Sequence, residues 1–218
     1  GIAAALDDFD QNPEVGVVLL SGEGGDFCSG MDLSANFDEG SAPYERSAEA
    51  VSNFGKPIVA AVDGIAIGGG ATIPFHCDLV YVGESLRMRL PFVSLGLVPE
   101  YCSSYMLQAN IGYRRAAELM FTAEWIDAAK ALEVGIATAV YPDSELHAKA
   151  LEKAREIAQW PVSSLKATKQ CMKASHAVAL KAALEIESEK MAQQIGSPEN
   201  VEAITAFLQK RKPDFKGL

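Results

Sequence analysis

Lys56-Pro57-Ile58-Val59-Ala60-Ala61-Val62-Asp63-Gly64-Ile65-Ala66-Ile67-Gly68-Gly69-Gly70 is the stretch on which the reading of this chain turns. Its apolar, β-branched run, bounded by Pro57 and by glycine, reads as a buried strand. Three glycines in succession remove every Cβ where the backbone leaves that strand, so a ligand can lie against main-chain N–H groups. Residues 71–78 have helical character, and a helix starting there aims its positive end at the same point. The turn therefore reads as an anion or oxyanion site, with a tight strand-to-helix packing turn as the plain alternative. A phosphate loop is excluded because no Gly-Lys-Ser/Thr is present, and Gly68-Gly69-Gly70-Ala71-Thr72-Ile73 lacks the third glycine of a dinucleotide fingerprint.

A second turn lies upstream, Gly25-Asp26-Phe27-Cys28-Ser29-Gly30-Met31-Asp32-Leu33, again directly after an apolar strand, residues 15–20. Together the two stretches resemble the crotonase (enoyl-CoA hydratase/isomerase) superfamily, whose members carry an F-C-x-G-x-D-L turn followed by a K-P-x-x-A-x-x-x-G-x-x-x-G-G-G strand and turn. The resemblance continues through Cys77-Asp78-Leu79-Val80 and Leu95-Gly96-Leu97-Val98-Pro99 to Ala206-Phe207-Leu208-Gln209-Lys210-Arg211-Lys212-Pro213, and so covers essentially the whole chain.

The totals are compatible with that class. At 218 residues the chain can bury a full core, and its 49% hydrophobic and 22% charged content is ordinary for a globular protein. No apolar run reaches the roughly 18 residues of a membrane span, and no signal peptide is visible. The formal net charge of -10 argues against nucleic acid as a partner. It also requires that contacts to an anionic CoA come from a local cluster of cations. The cysteines, Cys28, Cys77, Cys102 and Cys171, show no C-x-x-C spacing and are expected as reduced thiols. His76, His147 and His176 are dispersed, and no metal site is expected.

Outward from the glycine turn, an amphipathic helix over residues 2–9 precedes the strand at 15–20, and residues 36–44 read as a mobile loop of lid type. A helix over about 45–54 leads into the central strand. Beyond the glycines come a helix over 71–77, strands over 79–82 and 86–90, and an irregular connection to 98. Helical pattern follows from 101 to 120 and again over 123–134, ended by Gly135. A strand over 137–141 and helices over 145–159, 161–196 and 198–210 complete the chain. Strands alternating with helices imply βαβ units and a mainly parallel sheet, an α/β fold.

The resemblance makes this specific: a crotonase-like spiral of ββα turns over residues 1–144 and a C-terminal helical region over 145–218 that packs against neighbouring subunits, giving a homotrimer or homohexamer. Periodicity alone shows amphipathic helices that could equally fold back on their own domain. Family members also carry an N-terminal β-hairpin ahead of the first helix. Those residues are not in this sequence, which leaves a fragment, or a chain shorn of that segment, as the two readings. Lys216-Gly217-Leu218 is not a peroxisomal signal, and a cytoplasmic location is the default expectation.

What the resemblance implies for chemistry can be carried over residue by residue. The substrate is an acyl-CoA thioester, CoA being part of the substrate and no separate cofactor being needed. Two backbone N–H donors stabilise the enolate that forms when a C2 proton is removed, each donor typically worth a few kcal/mol. They fall on Met31 and Gly69, with Ser29, Gly30, Asp32, Leu33, Gly68, Gly70 and Phe92 around the substrate. A role for Met31 as a core gap-filler is the alternative. Hydratases of the family use two glutamates, because adding water needs one group to activate it and another to manage the C2 proton. The corresponding positions here are Thr72 and Phe92, so efficient hydration is disfavoured.

A different carboxylate appears at Glu100, in Pro91-Phe92-Val93-Ser94-Leu95-Gly96-Leu97-Val98-Pro99-Glu100-Tyr101-Cys102-Ser103-Ser104-Tyr105. This pattern is similar to the peroxisomal-type Δ3,Δ2-enoyl-CoA isomerases, whose catalytic glutamate matches Glu100. Moving a double bond needs one base, which takes a proton from C2 and returns it at C4. An apolar setting from Phe92, Leu97 and Val98 would raise the Glu100 pKa. The structural alternative is an acid in the first turn of a helix. Ser103 and Ser104 lack a nucleophile elbow. Lys166, Lys169 and Lys173 read either as a solvated helix face or as CoA phosphate ligands. The expected reaction is isomerisation of a 3-enoyl-CoA to the 2-enoyl-CoA. The alternatives are other acyl-CoA chemistry of this fold (hydratase, hydrolase or dehalogenase) and a catalytically poor CoA-thioester-binding subunit.

Overall fold

The computed structural model describes residues 1–32 and 41–218, with only the backbone described at 41–45. Leu33 and most of the loop expected at 36–44 lie outside the described residues. The chain opens with α1 (Ile2–Gln11), ended at Asn12-Pro13, and runs through β1 (Val18–Ser21) and α2 (Ser41–Asn53) to the central stretch. The strand expected to run unbroken to the glycines is two strands, β2 (Ile58–Val62) and β3 (Ile65–Ile67), in different sheets. The corner between them is Asp63-Gly64. Gly64 has φ +52, and a Cβ there would stand 2.1 Å from the Gly25 carbonyl oxygen, so a side chain cannot occupy the corner.

One sheet is four-stranded and parallel throughout, in the order β1, β2, β4 (Leu79–Gly83), β7 (Ala139–Tyr141). The other has the order β3, β5 (Arg87–Arg89), β6 (Trp125–Asp127), with β6 antiparallel to β5. All five residues of β2 are buried, as a parallel strand covered on both faces requires. Ala60 and Val62 face a core that includes Leu86, Met88, Leu90, Phe92 and Leu107. Val59 and Ala61 face the opposite way, under Leu146, Ala150 and Ala154 of α7 (Asp143–Ile157).

Helix boundaries depart from the sequence reading where local chemistry intervenes. The helix expected over 71–77 is a short α3 (Gly69–Thr72) followed by a 3₁₀ turn (Ile73–His76) that contains Pro74. Four residues carry little macrodipole, so any anion stabilisation at this turn comes from individual N–H groups. The helical run over 101–120 is α4 (Ser103–Ile111) and α5 (Tyr113–Thr122), separated by Gly112 at φ +83. The helix expected over 123–134 yields first to β6 and only then to α6 (Ala128–Val134). Ala123 turns left-handed to end α5, Ile126 pairs with Met88 in the core, and the Asp127 side chain caps α6 by accepting from the Lys130 N–H at 2.8 Å. The long helix over 161–196 is α8 (Val162–Lys173) and α9 (Ala177–Gln194), joined by a 3₁₀ turn, and α10 (Pro198–Leu208) follows.

Candidate active site

The two glycine turns are held together through backbone groups. The Cys28 N–H donates to the Ile65 carbonyl at 2.9 Å, and the Ile67 N–H donates to the Cys28 carbonyl at 3.0 Å. This parallel bridge onto β3 brings the first turn against the second. Contact is closest at the glycines: a Cβ on Gly30 would stand 2.7 Å from the Ile67 oxygen, and one on Gly70 2.2 Å from the Cys28 oxygen. Gly69 opens α3, so its N–H has no intrahelical acceptor. Next to Gly30, the Met31 side chain is 54% exposed, which excludes a core-filling role. Ser29 and Asp32 are exposed, Gly68 and Gly69 half-buried, and Gly70 buried. Phe92 is buried in the main core beside the site.

Glu100, in the loop ahead of α4, reaches this junction. It is half-buried, and its Oε1 lies 3.3 Å from where a Cβ on Gly69 would be and 3.9 Å from the same position on Gly68. A place in the first turn of a helix is not what it occupies, because α4 begins at Ser103. The acid that completes the start of α4 is instead Glu187 of α9. Its Oε2 accepts from the Cys102 N–H at 2.7 Å and its Oε1 from the Ser104 N–H at 2.8 Å. Glu187 is buried, and burial pushes its carboxyl above the ordinary range while these donors hold it down.

Tyr101 and Cys102 both adopt left-handed backbone conformations, with φ of 56° and 53°. Such a pair of non-glycine residues is costly, of order 1–3 kcal/mol each, and persists only where the surroundings impose it. The Tyr101 ring is buried, its Cε2 lies 3.8 Å from the Cβ position of Gly69, and its hydroxyl is hydrogen-bonded to the Ser47 hydroxyl of α2. The Tyr101 carbonyl lies 2.5 Å from His76 Nε2, and Ser52 Oγ lies 3.3 Å from His76 Nδ1. Burial pushes His76 down to about 4, so its ring is neutral and donates through Nε2.

The positions that a two-glutamate hydration would use hold no carboxylate. Thr72 is buried, with its hydroxyl donating to the Gly69 carbonyl at 3.3 Å, and Phe92 is core. A carboxylate beside the Gly69 N–H that opens α3, without a second acid at those positions, is equipped to move a proton on a carbon acid whose neighbouring carbonyl is held by the turn.

The three lysines are engaged with the body of the fold, and Lys169 does not lie on a solvated helix face. Lys169 is buried, its Nζ 2.7 Å from Asp78 Oδ2 and 2.8 Å from the Lys56 carbonyl. Lys166 pairs with Asp10 at 3.1 Å. Lys173 donates to the Ser52 carbonyl at 3.2 Å, and burial pushes it down to about 8. They tie α8 to the body of the fold: a helix face whose lysines point inward is not distinguishable by spacing from one whose lysines point to solvent. The four cysteines are free thiols, and burial pushes Cys77 up to about 12 and Cys102 up to about 11.

A ββα spiral with two packed glycine turns is the crotonase fold, and the comparisons with known proteins agree. The chain belongs to the Enoyl-CoA hydratase/isomerase family, which it matches over residues 1–218, and is an acyl-CoA enzyme of that family. It is 32% identical over 208 residues to the 2,3-dehydroadipyl-CoA hydratase of Escherichia coli (strain K12), covering 93% of this chain and 82% of that protein. Identity to the 1,2-epoxyphenylacetyl-CoA isomerase of the same organism is 30% over 227 residues, 99% and 87% of the two chains. Among solved structures, an enoyl-CoA hydratase/isomerase from Pseudoalteromonas atlantica T6c superposes with a TM-score of 0.93 at 36% identity, covering 98% of this chain and 87% of that one. No helix among the described residues is long and apolar enough to cross a membrane.

Sequence reasoning did not find Ser47, His76 or Glu187 as neighbours of the site. Glu187 and Cys102 are 85 positions apart, and one of three glutamates in α9 carries no signal of its own.

Proposed function

We propose that the protein isomerises 3-enoyl-CoA thioesters to 2-enoyl-CoA thioesters, with Glu100 as the single proton shuttle. The observation that carries this reading is the position of the Glu100 Oε1, over Gly69 at the mouth of the glycine turn. In this mechanism the thioester carbonyl accepts hydrogen bonds from the Met31 and Gly69 N–H groups. Glu100 removes a proton from C2, the electron pair delocalises from C2 onto the carbonyl oxygen on one side and through the C3–C4 double bond onto C4 on the other as a dienolate, and the protonated Glu100 returns the proton to C4. The double bond then lies between C2 and C3, conjugated with the carbonyl. No water is added and no cofactor is consumed. Thr72 and Phe92 support isomerisation over hydration, since neither can activate water. Assembly as a trimer or a dimer of trimers and a cytoplasmic location belong to the same reading.

The test is incubation with a 3-enoyl-CoA, following the ultraviolet absorbance of the conjugated thioester and the product mass. Conjugation without added water supports the reading. A product heavier by one water, or no conjugation, overturns it.

A further inference from the structure

We propose that Glu187 is a positioning residue for Glu100, and that through it α9 holds the proton shuttle over the glycine turn. The inference rests on the isomerase reading above and extends it to the C-terminal helices. Glu100 is followed at once by two residues in left-handed backbone conformation, Tyr101 at φ 56° and Cys102 at φ 53°. Neither is glycine, so the local preference of the chain opposes the turn that aims the carboxylate. The buried Glu187 carboxylate reaches across from α9 and accepts from both the Cys102 N–H, at 2.7 Å, and the Ser104 N–H, at 2.8 Å. Those bonds form only when the backbone at 102 takes its left-handed turn and α4 starts at Ser103. On the other side of Glu100, the buried Asn200 of α10 donates to the Leu95 carbonyl at 2.8 Å, which fixes the loop that leads into it. Both flanks of the Glu100 segment are therefore held by C-terminal side chains.

Glu187→Gln in the full chain tests this, because glutamine keeps the shape but replaces one of the two acceptor oxygens by a donor. The expected result is a fall in kcat for 3-enoyl-CoA isomerisation of roughly 30-fold, as for a misplaced catalytic group, with KM within about twofold of wild type. Adding Cys102→Gly, which removes the cost of the left-handed turn, should restore most of the lost kcat. Glu187→Asp, one methylene shorter, spans one donor at most and should lose kcat in the same direction even if Glu187→Gln does not fold. A wild-type kcat in either folded variant, or a loss that Cys102→Gly fails to rescue, overturns the proposal. A wild type that hydrates 2-enoyl-CoA in place of isomerising removes the isomerase reading alone, and the same variants are then judged by kcat in that reaction. Inactivity of wild type on both thioesters overturns both.

Discussion

The Glu100 carboxylate meets the second glycine turn at Gly69, its Oε1 3.3 Å from the place a Cβ on Gly69 would take. Gly69→Ala would crowd the free end of a side chain, which can swing aside, so the fold is expected to survive with its melting temperature little changed. The proton shuttle, however, is displaced from the turn. We expect kcat/KM to fall about 100-fold. Paired melting and steady-state measurements check this, and a simultaneous collapse of stability would contradict it.

Gly70→Ala is expected to behave in the opposite manner. Its Cβ would stand 2.2 Å from the Cys28 carbonyl oxygen, a backbone atom held in the bridge to β3, so no side-chain rotation relieves the clash. The expected cost is about 2 kcal/mol or more of stability, read by denaturant unfolding.

The contrast between these neighbouring glycines marks how far the sequence is informative. The glycine runs, the buried β2, the helix α10 and the segment bearing Glu100 are all legible because local pattern and turn chemistry agree there. The corner at Asp63-Gly64 is not, since an apolar run with one glycine does not disclose that its halves enter different sheets. Residues Trp125–Asp127 read as helix because a single buried position, Ile126 opposite Met88, decides for strand. The inward direction of Lys169 and the reach of Glu187 to Cys102 depend on contacts between residues 91 and 85 positions apart, which no window of sequence contains.

His76 makes stability depend on acid. Its folded pKa is about 4 against 6.5 for the free side chain, so between those values the unfolded chain binds a proton that the folded chain does not. Stability from this group is complete above pH 6.5 and is lost as pH falls from 6.5 towards 4. The slope is about 1.4 kcal/mol per pH unit, or about 3 kcal/mol in all. His76→Gln should flatten this part of the unfolding profile; an unchanged slope would count against a neutral buried His76.

Lys169→Met should destabilise the fold by about 3 kcal/mol, because the partly buried Asp78 carboxylate and the Lys56 carbonyl lose their cation. Chemical denaturation measures the loss. If Lys169 instead bound CoA phosphate, the variant would unfold as wild type does and show a raised KM.

The central claim is tested most directly by kcat for conversion of a 3-enoyl-CoA to its conjugated isomer by Glu100→Gln. With Glu100 as the only proton shuttle, kcat should fall about 1000-fold with KM and folding preserved. A Glu100→Gln variant that isomerises at the wild-type rate would contradict the mechanism.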